Sequence, residues 1–345
     1  MKRVYFAAVE EKAGKTSLIL GIGGLLPGEV RYLKPVGRAN TYRNGRPFDR
    51  DAEVVAEVLG LALPEDLVPL VSSEYPRHWR PPEDAWERIS RAAAPEADWL
   101  LIEGREWLGR GLFSGLSDVE IAHRLGAVLV LVAQYEGEAS VDRVLRAAGL
   151  AGEILGGVIF NAVSVEAELP EVRGTVAPAL EERGIPTLGI VPFERKLRTV
   201  TMAEVAEALG GEVLVAGDPG AEVERFLVGA MSGDAALRYL RRIPGKLAVV
   251  TGGDRADIQS AALSCERVRG LILTGSLRPE RSILARAVER GVPVILVPQD
   301  TMTAAETAEG LVGRAPVRGK HLEALRELVR ESVDLERLEE LTTRG

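Results

Sequence analysis

The sequence predicts an α/β protein in which a doubly wound parallel sheet is followed by a smaller α/β domain. An apolar strand at Val4–Ala8 runs into a loop that ends Gly14-Lys15-Thr16, and an apolar helix begins there. Strands alternate with helices over short connections along the chain, as a doubly wound parallel sheet requires. This alternation pauses at the glycine-rich turns of residues 210–220 and then restarts. A second domain is therefore predicted beyond the pause.

The composition argues against both a membrane span and a nucleic-acid surface. Of the 345 residues, 46% are hydrophobic and 27% are charged. No apolar run approaches the roughly 20 residues of a transmembrane helix. The formal net charge is −8, whereas binding to a phosphate backbone needs clustered Lys and Arg. Cys265 is the single cysteine and no cleavable apolar segment precedes the first strand, so we expect a cytoplasmic protein.

The strand, loop and helix at the N-terminus are typical of a phosphate-binding loop. The start of a helix leaves backbone N–H groups unpaired and carries partial positive charge, so it binds phosphate oxygens. Lys15 would place its ammonium on the β- and γ-phosphates, and the Thr16 hydroxyl would bind Mg²⁺. Val9 stands five residues before Gly14, where the usual pattern has glycine. Two alternatives therefore stay open: an ordinary charged turn, and a scaffold whose site no longer binds nucleotide.

Acidic side chains are placed where they could complete a magnesium site. Asp49 and Asp51 open a predicted helix over residues 51–59, and one of them is expected to cap it. The other would face the phosphate-binding loop and bind Mg²⁺ through an oxygen. Glu103 ends a fully apolar strand over residues 97–104, and open α/β sheets bind ligands at the carboxyl ends of their strands. Glu103 is therefore predicted to hold Mg²⁺, directly or through water.

Three further polar residues lie in or near this predicted site. Lys34 lies near the end of a predicted strand over residues 30–37, and Asn161 follows a predicted strand over residues 154–160. The Asn161 amide would cap a turn or, because it has both a donor and an acceptor, bind an adenine edge. Glu10 lies within the loop itself, where it would assist Mg²⁺.

The chain is predicted to divide into residues 1–212, residues 213–320 and a C-terminal helix over residues 321–345. In the second segment, Thr251 to Arg255 follow a buried strand. Paired glycines there would let the backbone approach a ligand or the next helix closely, and Asp254 would cap that helix. The candidate ligand residues are Gly252, Gly253, Asp254 and Arg255, with tight packing alone as the alternative. The C-terminal helix would either pack on the protein or form a dimer contact.

The first segment resembles dethiobiotin synthetases and related P-loop amidoligases. The resemblance is carried by residues 7–17, Lys34-Pro35-Val36, Asp51, Ile102-Glu103-Gly104 and Gly157–Asn161. The second segment is similar to the DRTGG domain, at Val228–Ser232 and Thr251–Gln259. The pairing resembles the N-terminal, non-catalytic region of long bacterial phosphotransacetylases. It also resembles stand-alone proteins of that family.

The resemblance implies a site for ATP and Mg²⁺. It assigns the metal to Thr16, Asp51 and Glu103, the adenine to Asn161, and the reacting phosphate to Lys34 with Lys15. The chain departs from dethiobiotin synthetases at Arg105-Glu106-Trp107, where that family has small residues. The expected nucleotide contacts are Glu10, Ala13, Gly14, Lys15, Thr16, Ser17, Asn161 and Pro192.

The favoured function is a regulatory nucleotide-binding protein whose second domain senses a ligand or forms a homodimer. No acetyl transfer is expected, because the chain ends soon after the DRTGG-like domain. A metabolic enzyme is a possible partner. The alternatives are an ATP-dependent ligase of the dethiobiotin synthetase type, acting on an unknown amine or carboxylate, and an interaction scaffold.

Overall fold

A computed structural model describes residues 1–38, 41–43, 46–61, 67–71, 80–197, 199–312 and 320–343. The chain forms two compact units. The first comprises Met1–Phe193 and Val317–Gly345, and the second comprises Glu194–Pro316. The predicted α/β class is confirmed.

The strands, in chain order, are β1 (Lys2–Ala8), β2 (Val30–Leu33), β3 (Val36–Gly37), β4 (Thr41–Arg43), β5 (Arg46–Phe48), β6 (Leu70–Val71), β7 (Trp99–Glu103), β8 (Val128–Ala133), β9 (Leu155–Val163), β10 (Thr187–Pro192), β11 (Val200–Thr201), β12 (Glu212–Val215), β13 (Glu222–Val223), β14 (Arg225–Val228), β15 (Leu247–Gly252), β16 (Val268–Thr274) and β17 (Val294–Leu296).

The α-helices are α1 (Lys15–Gly23), α2 (Arg50–Val58), α3 (Ala85–Ala93), α4 (Asp118–Arg124), α5 (Glu138–Ala151), α6 (Leu169–Glu171), α7 (Ala177–Glu181), α8 (Met202–Leu209), α9 (Gly233–Leu240), α10 (Ala256–Leu263), α11 (Arg281–Arg290), α12 (Thr301–Glu309), α13 (Lys320–Ser332) and α14 (Leu335–Thr343). A π-helical turn at Val172–Val176 joins α6 to α7.

The first unit is built on a six-stranded sheet in the order β10-β9-β8-β1-β7-β2. Every neighbouring pair in it is parallel. Strand β1 lies between β7 and β8, so the chain leaves β1 at the point where the strand order reverses. Ligands bind at such a switch point, beyond the carboxyl ends of the strands. The fold therefore places the phosphate-binding loop where an α/β sheet holds its ligand.

The apolar runs of the sequence explain the sheet. Strand β7 has the sequence WLLIE and is buried along its whole length, as expected for a parallel sheet covered on both faces. Helix α2 is preceded by Asp49, its N-cap, whose side chain accepts hydrogen bonds from Asp51 N and Ala52 N. Asp49 is thus the predicted cap, which leaves Asp51 for another role. Among the described residues, no helix combines the length and the apolar character needed to cross a bilayer.

The single C-terminal helix predicted over residues 321–345 is wrong, because the structure has two helices, α13 and α14. The helix is interrupted between α13 and α14. There, Val333 forms an isolated bridge with Gly189, and Asp334 N donates to Leu188 O at 2.8 Å. These backbone bonds compete with helix continuation. Helix α13 packs on α1, since a Cβ added to Gly21 would lie 2.6 Å from Val329 Cγ2. Helix α13 thus packs on the protein, as in the packing alternative, and a dimer contact by this segment stays a prediction.

The second unit has a five-stranded sheet in the order β12-β17-β16-β15-β14. Only β12 runs antiparallel to its neighbour. The predicted break after residue 212 falls inside this unit. Helix α8, capped by a Thr201–Glu204 capping box, belongs to it because Met202 and Val205 pack in the same apolar core as Phe226.

Candidate functional site

The loop between β1 and α1 has the backbone shape of an anion-binding turn. Gly14 caps α1 with φ at 88°, in the left-handed region. Positive φ also occurs at Lys12, at 63°, but not at Val9. The missing glycine at position 9 is therefore tolerated, because the backbone there needs no left-handed residue. The first amides of α1 have no acceptor within the helix and are available to a ligand.

Lys15 is the first residue of α1 and lies beneath this turn. The residue is only 8% exposed, and among the described residues none accepts a hydrogen bond from its ammonium, while the nearby carboxylates of Asp49, Asp51 and Glu103 pair with Lys34 instead. Burial lowers the pKa of Lys15, and the charges of Glu103 and Asp118 oppose that shift. A buried cation without a partner is costly unless an anion compensates it.

The loop is held from the side of β8. Gln134 N donates to Glu10 Oε1 at 2.6 Å, and Gln134 Nε2 donates to Lys12 O at 3.0 Å. Burial raises the pKa of Glu10, while the backbone bond to Gln134 and the Arg143 guanidinium act against that shift. One Glu10 oxygen thus braces the loop in this structure.

The loop is also held from β9. Asn161 Nδ2 donates to Ala13 O at 2.8 Å, and a Cβ on Gly14 would collide with the same nitrogen. Ser17 lies in the first turn of α1. Pro192 ends the edge strand β10, paired with Val163. The Asn161 donor is therefore engaged by the loop itself, and any contact of Asn161 or Pro192 with adenine stays a prediction.

Glu103 is the centre of a buried polar cluster at the end of β7. Its Oε1 accepts from Thr16 Oγ1 at 2.9 Å, and its Oε2 accepts from Tyr32 OH at 2.8 Å. Lys34 Nζ lies 3.2 Å from Glu103 Oε1. The ends of β1, β2 and β7 thus converge on one carboxylate, as their neighbouring places in the sheet require.

Lys34 joins Glu103 to two aspartates. Its Nζ lies 3.0 Å from Asp49 Oδ1 and 3.3 Å from Asp51 Oδ2. Burial alone would lower the pKa of Lys34, but the charges of Glu103, Asp49 and Asp51 outweigh it and raise the pKa well above its ordinary range. Lys34 is therefore fully protonated at neutral pH and acts as the cation of this cluster.

The predicted magnesium set is brought together around that ammonium. Thr16 contacts Glu103, and Lys34 bridges Glu103 to Asp51. In the described part of the chain, no three His, Cys, Asp or Glu side chains are grouped so that they alone could hold a metal. The donor set nevertheless suits Mg²⁺, which takes few protein oxygens and fills its octahedron with water and phosphate oxygens.

Asp118, in the first turn of α4, is a fully buried acid beside the loop after β7. Its Oδ1 accepts from Tyr5 OH at 2.8 Å and from Arg105 N at 3.0 Å. Its Oδ2 is buried and has no hydrogen-bond partner. Burial raises the pKa of Asp118 to about 6, although these hydrogen bonds and the charges of Lys15 and Arg105 lower it.

Sequence reasoning missed Tyr32, Asp118 and Arg105 as members of this region. Tyr32 could have been found, because it lies two residues before Lys34 and side chains two apart point to the same face of a strand. Asp118 follows Ser117, whose hydroxyl accepts from Glu120 N. In the sequence it therefore looks like an ordinary acid at a helix start.

In the second unit, the paired glycines are required by packing. A Cβ on Gly253 would collide with Leu277 O. Gln259 Nε2 donates to the carbonyl oxygens of both Gly252 and Gly253, at 2.9 and 3.0 Å. The turn after β15 is thus fixed by its own neighbours, as in the packing alternative. A ligand at these glycines stays a prediction.

Asp254 does not cap the following helix, contrary to the prediction. Helix α10 begins one residue later, with Arg255 as N-cap and no side-chain cap. Arg255 Nε donates to Asp257 Oδ1 at 3.1 Å, and its Nη2 donates to Met231 O at 2.7 Å. Arg255 therefore ties this turn to the segment that follows β14.

Comparisons with known proteins agree with the two-unit arrangement. A sequence family described as AAA domain (AAA_26) matches residues 2–215, and the DRTGG domain matches residues 204–311. A phosphate acetyltransferase from Deinococcus radiodurans is 28% identical over 337 residues, which cover 90% of this chain and 46% of that protein. One from Pseudomonas putida is 26% identical over 343 residues, covering 92% and 48%.

The chain spans about half the length of these curated relatives. A crystal structure of the CBS and DRTGG domains of the regulatory region of Clostridium perfringens pyrophosphatase, complexed with diadenosine tetraphosphate, is 16% identical. It covers 46% of this chain and 82% of that one, with a TM-score of 0.27, which is too low to support an inference. The AAA domain match spans more than half of the chain and contains the whole loop and cluster described above. The chain therefore belongs to the AAA domain family AAA_26, and it joins that domain to a DRTGG domain.

Proposed function

We propose that the first unit binds ATP with Mg²⁺ and that the protein acts as a regulatory nucleotide-binding protein. The observation that carries the proposal is the largely buried Lys15 side chain, whose ammonium pairs with no residue that the structure describes, next to the left-handed turn at Gly14. A triphosphate would compensate that charge and accept hydrogen bonds from the first amides of α1. Thr16, Asp51 and Glu103 would hold the metal ion, which would neutralise charge on the phosphates.

The presence of a DRTGG domain beside the AAA domain supports a sensing role. In this proposal the second unit binds a regulatory ligand or a second copy of the chain, and the nucleotide state of the first unit is the signal. The relatives named phosphate acetyltransferase suggest that the partner is an enzyme of that kind. Acetyl transfer by the chain itself is not part of the proposal.

Titration calorimetry with Mg-ATP tests the nucleotide site. Wild-type protein should bind, and Lys15→Ala should lose most of the affinity because the charge facing the phosphates is gone. Lys196→Ala is the matched control, since Lys196 is exposed and lies in the other unit. Equal and negligible binding by wild type and Lys15→Ala would leave only the scaffold alternative.

A ligase that uses ATP is the second candidate, and Asp118 favours it. Burial raises the pKa of Asp118 to about 6, so this carboxyl could accept a proton near neutral pH if an amine reached its buried, unpartnered Oδ2. Lys15 and Lys34 would then stabilise charge on the transferred phosphoryl group. Phosphate release should rise when small amines or carboxylic acids are added, and a screen without stimulation would remove this candidate.

A further inference from the structure

Arg105 is a buried arginine whose guanidinium pairs with none of the residues that the structure describes. It is only 8% exposed, and no residue that the structure describes accepts a hydrogen bond from its guanidinium. Its Nη1 is fully buried and unpartnered. A buried charge of this kind costs stability unless an opposite charge compensates it. Within the described ranges, no carboxylate compensates the charge of the Arg105 guanidinium.

The carboxylates nearest in the chain do not compensate it. Glu106 is engaged by two other arginines, because its Oε1 lies 2.9 Å from Arg38 Nε and 3.0 Å from Arg110 Nη1. Asp118 accepts from the Arg105 backbone N–H through Oδ1. Among the described residues, neither carboxylate forms an ion pair with the Arg105 guanidinium.

Arg105 lies in a segment that is fixed against the strand leading into the phosphate-binding loop. Gly104 N donates to Phe6 O at 2.9 Å, and Leu108 N donates to Ala8 O at 2.8 Å. The segment is therefore pinned to the last residues of β1. The turn at Gly104 also needs glycine, since a Cβ there would lie 2.7 Å from Asp118 Oδ2 and 2.8 Å from Phe6 O.

Lys15 is a second, largely buried cation that pairs with no described residue in this region. The charges of Lys15 and Arg105 both act on Asp118. Burial raises the pKa of Asp118, and these two charges lower it. Among the described residues, Asp118 forms an ion pair with neither cation. Lys15 and Arg105 are thus two cations near one carboxylate that are not directly paired, unlike Lys34, which contacts Asp49, Asp51 and Glu103.

We propose that Arg105 binds an oxyanion beside the phosphate-binding loop, together with Lys15. The paired N–H donors of a guanidinium match the oxygens of a phosphoryl or carboxylate group. The oxyanion is either the terminal phosphoryl group of the bound nucleotide or a free small oxyanion. The inference rests on the proposed function only for the first of these sources.

Calorimetry with ATP, ADP and inorganic phosphate separates the sources. Arg105→Met removes the charge and keeps an apolar stem, and Arg146→Met is the control because Arg146 is exposed on α5. If the oxyanion is the terminal phosphoryl group, Arg105→Met should weaken ATP binding by about tenfold or more and leave ADP binding unchanged. If it is a free oxyanion, only phosphate binding should be lost. Unchanged affinity for all three ligands would overturn the proposal.

A melting measurement without ligand gives a second, independent readout. Because the unpaired guanidinium is costly when the site holds no anion, Arg105→Met should melt at a higher temperature than wild type. Phosphate should raise the melting temperature of wild type more than that of the variant. A lower melting temperature for Arg105→Met, with equal phosphate effects, would make Arg105 a structural residue and contradict the proposal.

Arg105→Lys completes the series by keeping the charge and removing the paired donors, and it should show an intermediate loss of affinity. Failure of wild type to bind ATP would refute the proposed function, while the phosphate and melting results would still decide the role of Arg105.

Discussion

Lys34 Nζ lies 3.2 Å from Glu103 Oε1, the same oxygen that accepts a hydrogen bond from Thr16 Oγ1 at 2.9 Å. One oxygen of Glu103 therefore contacts both Thr16, which is predicted to bind Mg²⁺, and the buried ammonium of Lys34. Because Asp51 also contacts that ammonium, Lys34 lies among the oxygens that a metal ion would use. Mg²⁺ bound in the predicted place would therefore compete with the Lys34 ammonium for these oxygens.

Removal of Lys34 should destabilise the protein and make its stability depend on Mg²⁺. Lys34→Met leaves Asp49 and Glu103 buried without their cation, so the free energy of unfolding should fall by about 3–5 kcal/mol. Mg²⁺ should restore more stability to the variant than to wild type. Urea denaturation with and without Mg²⁺ measures both effects.

Lys246→Met is the control for that experiment. Lys246 pairs with Glu222 at the surface, with its side chain 40% exposed, so its loss should cost less than about 1 kcal/mol. A similar small cost for Lys34→Met would contradict the description of Lys34 as the cation of a buried cluster.

Glu103→Gln should affect nucleotide binding chiefly through the metal. The amide keeps the shape of the side chain but removes the negative charge facing the cation. We expect the affinity for ATP in Mg²⁺ to fall by about ten- to a hundredfold, with a smaller loss in EDTA. Calorimetry under both conditions measures the difference, and exposed Glu153→Gln is the control. Equal losses in both buffers would exclude a metal role.

Gly14→Ala should disrupt the loop. Its φ of 88° is strained for any residue with a Cβ, and that Cβ would collide with Asn161 Nδ2. The variant should lose ATP affinity and melt at a lower temperature. Gly149→Ala is the matched control, since a Cβ there meets nothing within 4 Å and alanine should stabilise helix α5 by up to about 1 kcal/mol. The loop geometry is refuted if Gly14→Ala binds like wild type.

Asp118 should make stability depend on pH. Its folded pKa is raised by burial from the ordinary 3.8 to about 6, so between these values the folded state keeps a proton that the unfolded chain has lost. Stability therefore falls as pH rises through this window and levels off above it. Asp118→Asn has no carboxyl at this position, so it should not lose stability in this way as pH rises.

The difference in free energy of unfolding between Asp118→Asn and wild type should shift in favour of the variant by up to about 3 kcal/mol from pH 4 to pH 7. Urea denaturation across that range measures it. Burial also raises the pKa of Glu10. Because Glu10 is present in both proteins, its contribution to the pH dependence cancels in the difference. A difference that does not change with pH would show that Asp118 titrates normally.

The sequence predicted where the loop, Lys34 and Glu103 lie because each follows an apolar strand, and parallel strands bring their carboxyl ends to one edge. It could not predict that the Lys34 ammonium binds three carboxylates, since this depends on the register of β2 against β7. The sequence also could not predict that the Arg105 guanidinium is unpaired among the described residues, because only the packed structure shows which charges lack partners. The break at Val333 depends on a distant backbone bridge to Gly189.

The central claim is that a triphosphate binds in front of α1, and a crystal structure with a non-hydrolysable ATP analogue and Mg²⁺ tests it most directly. The account predicts phosphate density against the first amides of α1, with the Lys15 ammonium on the phosphates and the metal ion beside Thr16. A loop with no ligand density, its backbone folded inward over Lys15 at saturating analogue, would contradict the claim.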